Sequence, residues 1–172
     1  MLLRSNTIKL WKQDSSLLPI LQEHRDLVHG VSFSPDGEII ATASADKEVK
    51  LWRRPQGNWR NLDGSLHTSL KHDSKVFAVS FSPDSQMIAT ASADKTLQLW
   101  RRDGTFLNTL VGHSEEVFSV SFSPDAQTIA TASFDKTAKL WNLDGEEIAT
   151  LKGHQDKVVQ VSFSPDAQLI AT

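Results

Sequence analysis

Apolar and polar residues alternate in short runs along the whole chain, and turn-forming residues separate these runs. In one unit, the run LVHGVSFS is followed by Pro35-Asp36-Gly37, then by EIIATAS, an Ala-Asp-Lys turn and EVKLW. Proline presets φ in such a turn, and glycine accepts a positive φ. Alternation with a period of two predicts strands, here Leu27–Ser34, Glu38–Ser44, Glu48–Trp52 and Ser65–Leu70. Helical periodicity is missing from every longer window, so the sequence predicts an all-β fold.

The same unit recurs four times. The motif SFSPD occupies residues 32–36, 80–84, 121–125 and 162–166, with steps of 48, 41 and 41 residues. An insertion of seven residues at 55–61 (PQGNWRN) accounts for the longer step. A tryptophan and a histidine recur in each unit, as Trp11, Trp52, Trp100 and Trp141 and as His24, His72, His113 and His154. Short strands at one fixed period indicate a repeat architecture.

Gly-His pairs at 112–113 and 153–154, an Asp in the second turn and a Trp that closes the third strand give this chain its resemblance to the WD40 family. The resemblance covers essentially the whole chain. It implies β-propeller blades of four antiparallel strands, whose innermost strands begin near Val28, Val76, Val117 and Val158. It places the outermost strands near Leu17–Leu21, Leu66–Leu70, Phe106–Leu110 and Ile148–Leu151. This chain departs from the family pattern before two histidines and after each of the four recurring tryptophans, at Glu23, Lys71, Lys12, Arg53, Arg101 and Asn142.

Residues 1–172 are predicted to form a single WD40 repeat domain with three complete blades and two half blades. Met1 and Thr172 both align with Thr42. The two halves could join within one chain as a four-bladed ring or between two chains as an eight-bladed ring. Otherwise the chain is a fragment of an open array. Four blades require a tight wedge and open edges recruit partners, so we expect a homodimer or another homo-oligomer to close the ring.

A histidine, a serine and an aspartate recur with the residue types of a nucleophilic triad, but an enzyme needs such a site only once. The resemblance instead implies a structural hydrogen-bond network in each blade, which stabilises the fold because its buried members are satisfied. We therefore predict no enzyme activity. The predicted network residues are His24, Ser44, Asp46, Trp52, His72, Ser92, Asp94, Trp100, His113, Ser133, Asp135 and Trp141.

Composition excludes several classes of function. The net charge is −3, so no large basic field favours nucleic acid. There is no cysteine, no glycine-rich phosphate loop and no apolar run of membrane-spanning length. We expect no cofactor, no metal, no nucleic-acid partner, no membrane contact and a cytoplasmic location.

Residues that differ between repeats are the candidate partner-binding residues, because the scaffold does not dictate them. They are His29, Phe77, Phe118 and Val159 after the first valine of each inner strand, and Phe134 before a turn Asp. The resemblance places them on the narrower propeller face, where proteins and peptides dock. The alternative is that the rings pack between blades. Arg pairs at 53–54 and 101–102 are a second candidate surface. The sequence thus predicts a protein-interaction scaffold, or alternatively a structural module that completes a larger propeller.

Overall fold

The computed structural model describes residues 6–55, 59 and 66–172. Its regular structure consists of strands, which confirms the all-β prediction. Blade 1 contains β1 (Val28–Phe33), β2 (Ile39–Ser44), β3 (Glu48–Arg53) and β4 (Leu66–Lys71). Blade 2 contains β5 (Val76–Phe81), β6 (Met87–Ser92), β7 (Thr96–Arg101) and β8 (Phe106–Val111). Blade 3 contains β9 (Val117–Phe122), β10 (Thr128–Ser133), β11 (Ala138–Asn142) and β12 (Glu147–Leu151). Each blade is an antiparallel meander whose strands pair in chain order.

A half blade lies on each side of these three sheets. In the N-terminal half blade, residues 8–21, single bridges join Ile8 to Leu21 and Trp11 to Leu17, so 17–21 is not a continuous strand. The C-terminal half blade is the pair β13 (Ser162–Phe163) and β14 (Ile170–Ala171). Most of the predicted insertion at 55–61, and Ser65, lie outside the described residues.

The fourth inner strand was predicted to begin near Val158, and this prediction is wrong. Regular pairing starts only at Ser162. In blade 3 the inner strand begins at Val117 because Val117 pairs with Ser133. The counterpart of Ser133 in the C-terminal half blade would follow position 172, so Val158 has no strand residue opposite it.

The Ser-Pro-Asp turn closes the inner hairpin of every blade. In blade 1, Ser34 Oγ donates to Asp36 Oδ1 at 2.6 Å and accepts from the amide of Ile39 at 2.9 Å. Gly37 has φ 71°, as the turn requires. The hydroxyl of Ser34 and the amide of Glu38 lower the pKa of Asp36. The first and second strands are therefore held in fixed register.

Neighbouring blades pack by placing small residues against large ones. Ala41, Ala43 and Leu51 of blade 1 share a core with Phe81 and Trp100 of blade 2. The same arrangement joins Ala89, Ala91 and Leu99 of blade 2 to Phe122 and Trp141 of blade 3. The small alanine side chains of the second strand leave space between neighbouring blades, and the bulky rings of the next blade fill that space. Each blade thus presents one small-residue face and one tryptophan face.

Candidate functional site

A chain of buried hydrogen bonds crosses blade 1 from its third strand to the loop before its first. The indole Nε1 of Trp52 donates to Thr42 Oγ1 at 2.9 Å, and Thr42 Oγ1 lies 2.7 Å from Nε2 of His24. Nδ1 of His24 lies 2.8 Å from Asp46 Oδ2. The backbone amides of Arg25 and Glu48 also donate to the Asp46 carboxylate. Four segments of one blade are fastened by this path.

Blade 3 repeats the network and shows the direction of its hydrogen bonds. Burial lowers the pKa of His113, and the bond to Asp135, which acts in the opposite direction, does not overcome it. The neutral ring donates from Nδ1 to Asp135 Oδ2 at 2.7 Å, so Nε2 accepts from Thr131 Oγ1 at 2.8 Å. Thr131 in turn accepts from Trp141 Nε1 at 2.9 Å. Every donor therefore points along the chain from tryptophan to aspartate, an arrangement in which hydrogen bonds polarise one another.

Blade 2 keeps only part of this path. His72 Nε2 lies 2.8 Å from Thr90 Oγ1, which accepts from Trp100 Nε1 at 3.2 Å. Nδ1 of His72 faces the carbonyl of Leu70 at 3.3 Å. Asp94 accepts instead from the amide and hydroxyl of Thr96. Among the described residues, the predicted pair of His72 and Asp94 is therefore not joined by a hydrogen bond.

The hydroxyl that connects histidine to tryptophan belongs to a threonine that the sequence analysis did not select. The predicted serines lie two residues later and contact other groups. Ser44 Oγ donates to the carbonyl of Asp26 at 3.2 Å and accepts from the amide of Asp46 at 3.1 Å. Ser92 and Ser133 make the equivalent contacts. The available signal was that the Thr of IATAS recurs in every repeat, two residues before that serine and on the same strand face.

Three of the predicted partner-binding residues occupy β-bulges. In β1, Val28 pairs with Ser44 and Gly30 with Ala43, so His29 is the unpaired extra residue. Phe77 and Phe118 hold the same position in β5 and β9. A bulge re-aims a side chain away from the regular alternation of the strand. All three rings therefore leave the sheet in the same way.

The bulge rings and Phe134 form one stack across the blade boundaries, which we call the aromatic column. Ring centroids lie 5.3 Å apart for His29 and Phe77, 4.5 Å for Phe77 and Phe118, and 4.8 Å for Phe118 and Phe134. The last two pairs are stacked with interplanar angles of 26° and 14°. Nζ of Lys157 lies 4.1 Å from the ring centroid of Phe134. The rings thus contact one another across the blade boundaries and form one continuous feature.

The aromatic column remains open to solvent. Its three phenylalanines are half-buried, His29 is exposed, and Val159 at the equivalent position in the C-terminal half blade is 53% exposed. His29, Phe77, Phe118, Val159 and the one or two residues that follow each of them line an open groove of about 340 Å³. The structure brings together all five residues that the sequence analysis proposed for partner binding.

The arginine pairs make a weaker site. Arg54 forms an ion pair with Glu38, and Arg102 Nη1 lies 2.9 Å from Asp36 Oδ2 across the boundary between blades 1 and 2. Half of this charge is therefore used inside the fold. Within the described residues, no group of His, Asp and Glu side chains has the arrangement of a metal site. The same part of the chain contains no helix long and apolar enough to cross a bilayer.

Three meander sheets, each crossed by a tryptophan–threonine–histidine path, define a β-propeller array of the WD40 class. The family described as WD domain, G-beta repeat matches residues 15–53, 64–101, 104–142 and 145–172. The chain belongs to this family.

Several named proteins are similar to parts of this chain. Nucleoporin SEH1 of Caenorhabditis elegans is 44% identical over 52 residues, 28% of this chain and 14% of that protein. Ribosome assembly protein 4 of Saccharomyces cerevisiae is 42% identical over 55 residues, 31% of this chain and 11% of that protein. An uncharacterized WD repeat-containing protein of Synechocystis is 40% identical over 47 residues, which are 27% of this chain and 14% of that protein. The matched segments thus span a small part of each relative.

Removing the central hydroxyl tests the network. Thr131→Val keeps the shape of the side chain but leaves the indole of Trp141 and Nε2 of His113 without their partner. We expect it to lower the free energy of unfolding by about 1–3 kcal/mol for each buried group left unpaired, measured by urea denaturation. Thr131→Ser, which keeps the hydroxyl, is the control and should cost less. Equal losses in the two variants would contradict a role for the hydroxyl.

The free energy of unfolding should decrease in two steps as the pH falls, and the buried histidines account for the first step. Burial lowers the pKa of both His72 and His113 in the folded chain. The unfolded histidines therefore bind protons first, and stability should decline as the pH falls below about 6.5, by at most about 1.4 kcal/mol per pH unit for each histidine. Urea unfolding measured at pH 7.5, 6.5 and 5.5 checks this.

A second loss should follow at lower pH. Burial would raise the pKa of Asp46, but the amide of Arg25 and the ring of His24 donate to it and the net shift is downward. The pKa of Asp135 is also lowered. Burial would raise it, but hydrogen bonds from Thr137 and His113 outweigh that effect. The stabilisation of the fold by these two carboxylates is complete above the unfolded pKa, and it is lost as the pH falls from there through the folded pKa. A constant unfolding free energy between pH 7.5 and 5.5 would contradict the assignment of neutral buried histidines.

Proposed function

We propose that this chain is a non-catalytic interaction scaffold that binds a peptide or protein through the aromatic column. The observation that carries the proposal is the contrast between two sets of residues. The tryptophan, threonine and histidine of the polar network recur in all three blades and are buried, whereas the column residues vary between repeats and reach solvent. Clustered, partly exposed aromatic side chains are the usual anchors of protein interfaces.

The chemistry of the polar residues supports a non-catalytic role. His24, Thr42 and Asp46 have the composition of a catalytic set, but the histidine and threonine are buried and every member is already bonded. A nucleophile must reach its substrate, and a base must have a free lone pair. These groups satisfy one another instead.

The relatives support the same reading. One is named a nucleoporin and another a ribosome assembly protein, and both names fit proteins that act within larger assemblies. A cytoplasmic location stays a prediction from composition.

Deleting rings from the column tests the proposal. Peptides selected on the wild-type chain from a random library should lose at least about tenfold in affinity for Phe77→Ala/Phe118→Ala, because aromatic anchors commonly contribute 2 kcal/mol or more. The control is Phe106→Ala, which removes a half-exposed ring from β8, outside the column. Fluorescence anisotropy gives the affinities, and thermal melting shows that the variants are folded. Equal affinities for wild type and the double variant would refute the proposal.

A second proposed function is assembly, with two copies sharing their half blades. Because the blades repeat, the exposure of equivalent inner-strand residues can be compared between them. Val31 and Phe33 of β1 are 53% and 54% exposed. The equivalent residues of β5 and β9, Val79, Phe81, Val120 and Phe122, are 6–7% exposed because the preceding blade covers them. In blade 1, the apolar side chains of β1 therefore lack the cover that the inner strands of a preceding blade give to β5 and β9.

The polar residues of the two half blades support this proposed assembly. Trp11 is 60% exposed, whereas its three counterparts are 8% exposed or less. Thr172 is also exposed, yet His154 Nε2 already lies 2.6 Å from its Oγ1. In the complete blades, the threonine pairs across from the residue two before the tryptophan, as Thr131 does with Lys139. The same register would set Thr172 opposite Lys9 and bring the indole of Trp11 to the threonine hydroxyl.

Solution mass tests this assembly. We expect light scattering at micromolar concentration to give twice the 19.1 kDa of one chain. Val31→Ser/Phe33→Ser should reduce the mass to that of a single chain, because it removes the apolar surface that β13 and β14 of the second copy would cover. The control Val111→Ser changes a residue that is 73% exposed on an outer strand and should leave the mass unchanged. A wild-type chain that is strictly monomeric would rule the dimer out.

A further inference from the structure

Some backbone amides of the inner strands point into the groove and not toward a partner strand. Each inner strand stands at the edge of its sheet, so only one of its two sides is paired. Hydrogen-bonded and non-hydrogen-bonded pairs alternate along an antiparallel ladder. In blade 2, the amide of Ser82 bonds the carbonyl of Met87. Counted back from that bond, Val79 and Thr90 form a non-hydrogen-bonded pair, so the amide of Val79 points away from β6.

Blade 3 repeats this arrangement. The amide of Ser123 bonds the carbonyl of Thr128, so Val120, which pairs with Thr131, also directs its amide away from its own sheet. Val79 and Val120 both line the groove. Among the hydrogen bonds of the described residues, no side-chain oxygen accepts from either amide. The groove therefore contains two backbone donors that are open to a ligand.

The boundary between blade 3 and the C-terminal half blade shows what such an amide binds. There, Ser119 Oγ accepts from the amide of Val161 at 3.3 Å. Ser119 directly follows the bulge residue Phe118, and Val161 corresponds in the repeat to Val79 and Val120. At this boundary the preceding blade thus supplies an oxygen acceptor to the inner-strand amide of the next.

The other two boundaries lack this oxygen. The residues that correspond to Ser119 are Gly30 in blade 1 and Ala78 in blade 2. A Cβ built on Gly30 would lie 3.5 Å from the amide nitrogen of Val79, so this side-chain position faces the amide as Ser119 faces Val161. Glycine and alanine have no side-chain acceptor. Because backbone amides are obligatory donors, a ligand that brings oxygen atoms to these two places is favoured.

The charged residues around the column do not favour a ligand of either sign. Lys75 and Lys157 are basic, whereas Glu116, directly before β9, and Asp156 are acidic. A neutral acceptor therefore suits the groove best. The main-chain carbonyl is the neutral acceptor that every residue of a peptide carries.

We propose that an extended peptide segment binds in the groove with its main-chain carbonyl oxygens on the amides of Val79 and Val120, as the hydroxyl of Ser119 binds the amide of Val161. The inference rests on the proposed binding function and names the contact that orients the peptide. An extended segment directs a carbonyl to the same side at every second residue. Two such carbonyls would face the inner strands, and neighbouring apolar side chains would contact Phe77 and Phe118.

An ester scan of a selected peptide tests this contact on the unmodified chain. Replacing one peptide bond by an ester weakens the carbonyl of that bond as an acceptor. The peptide is a heptamer selected from a random library on the full chain, whose binding is lost on Phe77→Ala/Phe118→Ala. Esters at two positions, two residues apart, should each lower its affinity about two- to tenfold, the loss expected for one net hydrogen bond. Esters at the remaining positions should have little effect.

Ala78→Ser supplies the missing oxygen from within the chain. Its hydroxyl should accept from the amide of Val120, so the peptide should bind about two- to tenfold more weakly. One of the two ester effects should disappear on this variant, because that amide is already bonded. Ala78→Cys, which has a side chain of similar shape but a weak acceptor, is the steric control and should retain most of the affinity. Thermal melting shows that both variants are folded.

The possible results separate the inference from the function on which it rests. Equal affinities of the wild-type chain and Ala78→Ser, or two ester effects that both persist on Ala78→Ser, would overturn the inference and leave the binding function in place. Binding that depends on a carboxylate side chain of the peptide and on none of the esters would also overturn it. A library that yields no peptide sensitive to ring deletion would refute the binding function itself and the inference with it.

Discussion

The fold depends on one threonine hydroxyl in each blade. Thr42, Thr90 and Thr131 are fully buried, and each stands between an indole Nε1 and an imidazole Nε2 for which the described part of the chain shows no other hydrogen-bond partner. A buried polar group that loses its partner costs more than the bond contributes when made. The tryptophan on the third strand, the threonine on the second and the histidine before the first are therefore bound to one arrangement. Packing alone would permit small shifts between strands, whereas this path specifies both register and the position of the entry loop.

This internal constraint leaves the bulge position free to vary. The network and the alanine face use the regular strand positions, so their residues scarcely change between blades. The bulge residue pairs with nothing, and the chain places histidine, phenylalanine and phenylalanine there in the three blades, with Val159 at the equivalent sequence position of the C-terminal half blade. Stacking across blade boundaries then turns separate side chains into one continuous surface. Repetition makes the scaffold, and the unpaired position carries what is individual to this chain.

The sequence predicts most of the fold and only part of the site. The period of 41 residues, the Pro-Asp turns and the alternation locate the strands of the three blades, because these signals act within a few residues. Alternation does not tell which of two hydroxyls on one strand face meets the histidine, so the sequence predicts Ser44 where the structure has Thr42. His72 bonds the carbonyl of Leu70 and not Asp94, a difference in partner that the repeated sequence pattern does not reveal. The bulges were not predicted either, since one unpaired residue changes the strand pairing and leaves the apolar pattern almost intact. The sequence nevertheless predicts the bulge residues as binding residues, because a position that differs between repeats is not fixed by the needs of the scaffold.

Joining the half blades requires more than covering an apolar surface. Complete burial of a Val or Phe side chain contributes about 1.5–3 kcal/mol, and Val31 and Phe33 are already about half covered, so together they contribute roughly what one such residue does. Association of two chains costs about 4–15 kcal/mol in lost freedom of motion. The difference would have to come from strand pairing between β14 and residues 8–11, and from completion of the path from Trp11 through Thr172 to His154. A two-fold ring forms two such junctions for one loss of translational freedom. Symmetric closure therefore has an energetic advantage that a single junction between two chains lacks.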